Sequence, residues 1–178
     1  MPTGRELNAT LRFVLFDWGD TLMSEAGLVD IPMADWPEVT CIDGAHDVLA
    51  QLSRLYSISI ATNAIVSKRN DVLRALDRVG LKQFISEVFC FTELGRKKSE
   101  PEFWDAVLTK LGAHRHEVVM IGDSVEQDVL GPMRAGIRAI WFNWKQESSS
   151  GAASFESIRS LRELPAVLSH AVGRARPR

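Results

Sequence analysis

The sequence predicts an α/β fold, a three-layer sandwich with a central parallel sheet covered by helices on both faces. Three observations carry this expectation. Short apolar runs rich in β-branched and aromatic residues recur at 11–16, 57–61, 87–91, 118–121 and 138–142. Stretches with helical spacing of apolar residues lie between most of them. Several of the runs stop at polar or turn residues, among them Asp17, Thr62 and Gly122. Strands alternating with helices imply parallel pairing through right-handed crossovers.

The first run, Leu11, Phe13, Val14, Leu15 and Phe16 interrupted by Arg12, reads as a strand buried on both faces. It ends in Asp17-Trp18-Gly19-Asp20-Thr21-Leu22. Residues 23–42 have no clean period and carry Gly27, Pro32 and Pro37, so they read as an excursion over the carboxyl edge of the sheet. Asp43 is placed to cap a helix with the stripe Ala45, Val48, Leu49, Leu52 and Leu55. After the second strand, Ser67 is placed to cap a helix bearing Val72, Leu73, Leu76 and Val79, stopped by Gly80. Pro101 opens a helix with Phe103, Val107, Leu108 and Leu111, closed by Gly112. The fourth strand runs into Gly122-Asp123, and the helix after it, to about Ala135, should kink at Pro132. Residues 146–154 are rich in Ser, Gly and Ala and read as a mobile loop. An edge strand at 155–158 follows, then a helix in which Ser160 and Glu163 form a capping box and Pro165 delays the start by a turn. The three arginines of 173–178 read as a frayed tail.

Length and composition bound the rest. The 178 residues suit a single domain over 1–178, with a core at about 11–145, a short cap-like insertion at 23–42, a loop at 146–154 and an edge strand and helix at 155–172. A hydrophobic fraction of 46% supports a core of ordinary size, and a net charge of −2 gives no basis for binding nucleic acid. No apolar run is long enough to span a membrane, and no basic-then-apolar leader opens the chain, so no membrane partner is expected. Cys41 and Cys90 lack metal-ligand spacing and read as small apolar residues, which fits a reducing cytoplasm.

Ligands of open α/β sheets bind at the carboxyl ends of the strands. Asp17, Thr62 and Asp123 all fall at such ends. With them come Lys98-Ser99-Glu100-Pro101-Glu102-Phe103, and Asp128 five residues after Asp123. In these four ordered motifs the chain resembles the haloacid dehalogenase superfamily, largely phosphatases on a Rossmann-like sheet. The likeness covers about 11–144. It implies that Asp17 is a nucleophile that attacks phosphorus and forms an aspartyl-phosphate. It also implies a Mg²⁺ ion held by Asp17, the backbone carbonyl of Gly19 and Asp123, with Asp128 acting behind them or through water. Thr62, assisted by backbone N–H groups near Asn63, would hold a phosphate oxygen. Lys98, chosen over Lys97 by its spacing to Pro101 and Phe103, would orient Asp17 and stabilise charge on the transferring phosphoryl group.

Two departures from the family pattern stand out. Relatives carry an acid/base Asp two residues after the nucleophile, where this chain has Gly19. Asp20 is one position off, and in an extended segment it should face away from Asp17. It either bends back to serve as the acid/base or acts as a turn or cap residue. Residues 23–42 are also far too short for a helical cap domain, so the site should be open, with Trp36 either lining its entrance or packed at the surface.

The reading that follows is a Mg²⁺-dependent phosphatase acting on a phosphorylated substrate, of large size if the open site admits one, and slowed by the missing side chain at Gly19. The alternatives are a phosphate- or partner-binding protein that has lost turnover, and, further off, a dehalogenase. Neither the substrate nor the oligomeric state can be read from the sequence.

Overall fold

The computed structural model describes residues 11–25, 30–146 and 155–170. Most of the expected loop at 146–154 and the tail at 173–178 lie outside the described residues.

Six parallel strands form one sheet in the order β3-β2-β1-β4-β5-β6. They are β1 (Phe13–Phe16), β2 (Ser57–Thr62), β3 (Ile85–Cys90), β4 (Val118–Gly122), β5 (Arg138–Phe142) and β6 (Ser157–Ile158). β1 is central, and its unbroken apolar run follows from burial on both faces. Val14 and Phe16 point to one face, where they pack with α1 (Ala45–Leu52), α2 (Arg69–Arg78) and α6 (Leu164–His170). Phe13 and Leu15 point to the other, against Phe103, Trp104 and Val107 of α4 (Pro101–Leu111). The chain reverses its direction of travel across the sheet between β1 and β4, which is the switch point where such sheets bind ligands. Phe16 lies level with Ile60 of β2 and Ile121 of β4, so the residues that follow these three strands emerge side by side.

Several element boundaries differ from the sequence reading. Gly44, in the left-handed region at φ 80°, precedes α1, and Asp43 makes no cap bond but pairs with Arg162 at 3.0 Å. The helix stops at Leu52, which leaves Leu55 exposed. Lys68 rather than Ser67 precedes α2, and its N–H donates to Asp71 at 2.9 Å, while Ser67 is buried and its carbonyl accepts from Thr92. Phe91 leaves the third strand to begin the short helix α3 (Phe91–Leu94). Cys90 packs in the core as expected, whereas Cys41 is exposed. Pro132, expected to kink a continuous helix after β4, sits in the first turn of a short α-helix that follows a π-helical stretch. Residues Val125–Leu130 wind as a π-helix and only Gly131–Arg134 (α5) is α-helical. Proline has no N–H to donate into the preceding turn, and π-turns of this kind recur at functional sites. The last helix begins one turn late, behind Ser160, whose N–H donates to Glu163 at 2.8 Å.

The excursion at 30–42 is tied down against α2. Arg78 of α2 donates to the carbonyls of Ala34, Trp36 and Pro37, at 3.1, 2.6 and 2.9 Å. Arg74 pairs with Asp35 at 2.6 Å. No sizeable cap covers the carboxyl edge among the described residues, and no helix there is long and apolar enough to cross a membrane.

Candidate active site

A cleft of about 410 Å³ opens at the carboxyl ends of β1, β2 and β4. Asp17, Gly19, Thr62, Asn63, Lys98, Asp123 and Asp128 all line it, so seven of the eight residues singled out from the sequence meet at one place. Asp20 is the exception.

Asp17 leaves β1 with its N–H bonded to Ile121 of β4 at 2.8 Å. The chain then curls back on itself: the N–H groups of Leu22 and Met23 both donate to the carbonyl of Trp18 at 3.0 Å. This curl brings the buried Thr21 hydroxyl to 3.4 Å from Asp17 Oδ2, while Oδ1 accepts from the Lys98 ammonium. Both carboxylate oxygens are thereby oriented.

Lys98 is 2% exposed, and its ammonium sits between Asp17 and Asp128 Oδ1, the latter 2.6 Å away in an ion pair without hydrogen-bond alignment. Burial alone would pull the Lys98 pKa down, but the two carboxylates outweigh it and hold the ammonium protonated, above its usual range. The loop that delivers Lys98 is fixed from three sides. Its N–H donates to Asn63 Oδ1 at 2.9 Å and its carbonyl accepts from the Trp104 indole at 2.7 Å. Gly131 lies against the same carbonyl so closely that a Cβ there would collide with it. Asn63 completes the brace by donating to Gln127 at 2.7 Å. Its side chain is thus committed to positioning Lys98.

Asp128 is fully buried, and Oδ2 accepts from Ser124 N–H at 3.0 Å. Burial pushes its carboxyl up, against the pull of Lys98. A Cβ on Gly122 would overlap the Asp128 carboxylate, so glycine at the end of β4 leaves the room it occupies. Asp123 follows Gly122. Burial and the charge of Asp17 push its carboxyl up to about 6, with Lys145 opposing from 3.9 Å. Ligand atoms from Asp17, Asp123 and Asp128 lie within 4.8 Å of one another. Such a set of hard carboxylate oxygens fits a divalent cation of the Mg²⁺ type.

Thr62, at the end of β2, accepts from the N–H of Ala64 at 3.1 Å, which leaves its hydroxyl hydrogen to donate into the cleft. Asp20 is not at the cleft floor. It adopts a left-handed φ of 49°, and its carboxylate is taken by the N–H of Glu25 and the ammonium of Lys145, each at 3.0 Å. The turn reading of Asp20 fits this placement. Glu25 does line the cleft. Burial raises its pKa, and the charges of Asp17, Asp20 and Asp123 add to the rise. Trp36 lines the apolar rim with Ile31, Met33, Ile65 and Val66.

The family of haloacid dehalogenase-like hydrolases matches residues 28–142, well over half of the chain. The chain belongs to that family. It is 28% identical over 155 residues to the pyrimidine 5'-nucleotidase YjjG of Escherichia coli, covering 85% of this chain and 68% of that protein. It is 33% identical over 104 residues to the pyrimidine 5'-nucleotidase PynA of Streptococcus pneumoniae, covering 57% and 43%. The match thus spans between under half and about two thirds of these relatives' lengths. Among solved structures, a Listeria monocytogenes protein superposes with a TM-score of 0.81 at 23% identity, covering 90% of this chain and 98% of that one. The HAD-hydrolase YfnB of Bacillus subtilis, bound to magnesium, superposes at 0.75 and 18%, covering 89% and 99%. At these identities the superpositions establish the fold.

The sequence reading of this HAD-like hydrolase missed Thr21, Glu25, Trp104, Gln127, Gly131 and Lys145. Gly131-Pro132 held a signal, since a glycine and a proline inside a helical stretch mark a close approach or a break. Gln127 and Lys145 act across 64 and 125 positions, while Thr21, Glu25 and Trp104 reach partners four, five and six positions away through turns that no periodicity marks.

Proposed function

We propose that the protein is a Mg²⁺-dependent phosphatase that hydrolyses phosphate monoesters through an aspartyl-phosphate on Asp17. The observation that carries this reading is the buried Lys98 ammonium between Asp17 and Asp128. A carboxylate paired with that ammonium and lining the cleft is placed to act as a nucleophile, and the Thr62 hydroxyl, which lines the same cleft, is a donor for a phosphate oxygen. Asp17, Asp123 and the Gly19 carbonyl are the groups that would hold Mg²⁺. Asp128 is the most buried of the three carboxylates and is paired with Lys98, so its part is to hold Lys98 and to act behind the other ligands or through water. When bound, Mg²⁺ supplies the positive charge that lets an anionic carboxylate approach an anionic phosphoryl group. Lys98 and Thr62 stabilise the charge that spreads over the phosphoryl oxygens in the transition state. Phosphatases and nucleotidases among the curated relatives support the same class, including the glyceraldehyde 3-phosphate phosphatase of Methanothermobacter thermautotrophicus, 30% identical over 91 residues.

The test is phosphate release from p-nitrophenyl phosphate. The expected result is turnover with Mg²⁺, loss in excess EDTA and loss in Asp17→Asn. Release that survives both treatments would refute the reading. Metal binding without release from any of a metabolite panel would favour a binding protein that has lost turnover.

A further inference from the structure

The family pattern asks for a carboxylate two residues after the nucleophile, and position 19 has none. The backbone does not demand glycine there, because Gly19 lies outside the left-handed region. What excludes a side chain is the space it would fill. A Cβ built on Gly19 would overlap the carboxylate end of Glu25, meeting its Cγ, Cδ and Oε1. Gly19, Glu25 and Asp17 line the same cleft, so the carboxylate that takes this space faces the volume in front of the nucleophile.

Glu25 is held there by the local fold. Met23 bridges both Gly19 and Cys41, and the N–H of Ser24 donates to Thr40 at 3.0 Å, so residues 23 and 24 run fixed beside the nucleophile loop. The N–H of Glu25 then donates to Asp20 Oδ1, and Lys145 holds the other oxygen of Asp20. The displaced aspartate is therefore a positioning residue for Glu25. Glu25 lines the cleft together with Asp17, Thr62 and Asp123, so a leaving oxygen held between them comes within its reach.

We propose that Glu25 is the general acid/base of this enzyme, supplying from a different point of the chain the carboxyl group that position 19 lacks. The proposal rests on the phosphatase reading. In the first step an Asp17 oxygen bonds to phosphorus, the bond from phosphorus to the leaving oxygen breaks, and the Glu25 carboxylic acid gives its proton to that oxygen, releasing an alcohol. In the second step the Glu25 carboxylate takes a proton from water, the water oxygen bonds to phosphorus, and the bond to Asp17 breaks. Inorganic phosphate leaves, Asp17 is again a carboxylate and Glu25 again carries its proton.

The leaving group separates this role from a structural one. An alkoxide needs the proton and p-nitrophenolate does not. Glu25→Gln should lower hydrolysis of propyl phosphate by about 10²- to 10⁴-fold. Phosphoenzyme formation from p-nitrophenyl phosphate should stay within several-fold of wild type, and its slower breakdown should appear as a burst of p-nitrophenolate. The double variant Gly19→Asp/Glu25→Ala, which returns the carboxylate to position 19 and clears the space for it, should hydrolyse propyl phosphate faster than Glu25→Ala. A folded Glu25→Gln protein with an unchanged ratio of alkyl to aryl hydrolysis and no burst would overturn the role of Glu25 and leave the phosphatase reading intact. Equal losses on both substrates, with loss of the Mg²⁺-induced rise in melting temperature, would overturn it by making Glu25 a metal ligand. A wild type with no Asp17-dependent turnover of either substrate would overturn both readings.

Discussion

Replacing Lys98 by Met should destabilise the protein in a way that depends on Asp128. The side chains of Lys98 and Asp128 are 2% and 1% exposed, and Asp17 is 11% exposed. Met has nearly the volume of Lys and leaves no large cavity, so the cost is electrostatic: two carboxylates in one dry space lose their shared counter-ion. Breaking a buried pair by removing one partner costs about 3–5 kcal/mol. For a domain of this size each kcal/mol moves Tm by about 2–4 °C, which sets an expected fall of about 6–20 °C. Asp128→Asn keeps the acceptor for Ser124 N–H and removes one charge of the cluster. Lys98→Met placed on that background should cost less than in wild type, by a coupling of about 1–3 kcal/mol. Urea unfolding of the four proteins, without added divalent cation, measures the cycle. A Lys98→Met effect below about 1 kcal/mol, or strict additivity with Asp128→Asn, would refute the placement of the ammonium.

Three further outcomes are expected. Asp123→Asn should stabilise the metal-free protein at pH 7.5 by about 1 kcal/mol, a figure discounted for partial exposure. The wild-type carboxyl is raised in the fold, so the folded state binds the proton more tightly and the ionised group costs stability once pH rises through about 6. The advantage of Asn should therefore vanish near pH 4, while excess Mg²⁺ should raise the Tm of wild type and not of the variant; a pH-independent advantage would contradict this cause. Gly131→Ala should cost about 1–3 kcal/mol in urea unfolding and lower turnover, because its methyl group displaces the Lys98 carbonyl; a neutral effect on both would be inconsistent with the close approach. Thr62→Val, matched in shape and lacking the hydroxyl, should lose about 10- to 100-fold in kcat/KM, the worth of one hydrogen bond to a charged group, and an unchanged value would remove Thr62 from the phosphate site.

The sheet was legible wherever burial on both faces produced uninterrupted apolar runs, as in β1 and β4, whose ends carry Asp17 and Asp123. Element ends were less legible. Asp43 and Ser67 are good cap residues by type, but Asp43 pairs with Arg162 and Ser67 is buried, tertiary partners that local reasoning does not contain. Leu55 has the right spacing for the stripe of α1 but lies beyond its last turn. At the site, the ordered motifs announced Lys98 and Asp128, whereas nothing local marks Asn63 as the brace of Lys98 across 35 positions. Gly19 was visible as a departure. Its explanation was not, because the carboxylate in its place arrives six residues later through a backbone bond to Asp20.

The central claim is that Asp17 attacks phosphorus, and acid-quenched labelling tests it directly. Protein mixed with p-nitrophenyl phosphate and Mg²⁺ and quenched within the first turnover should carry one phosphoryl group, stable to acid, removed by hydroxylamine and mapped by peptide mass spectrometry to Asp17. Glu25→Gln should accumulate more of it and Asp17→Asn none. A phosphoryl group on another residue, or turnover that proceeds with no trapped intermediate even in Glu25→Gln, would contradict the account.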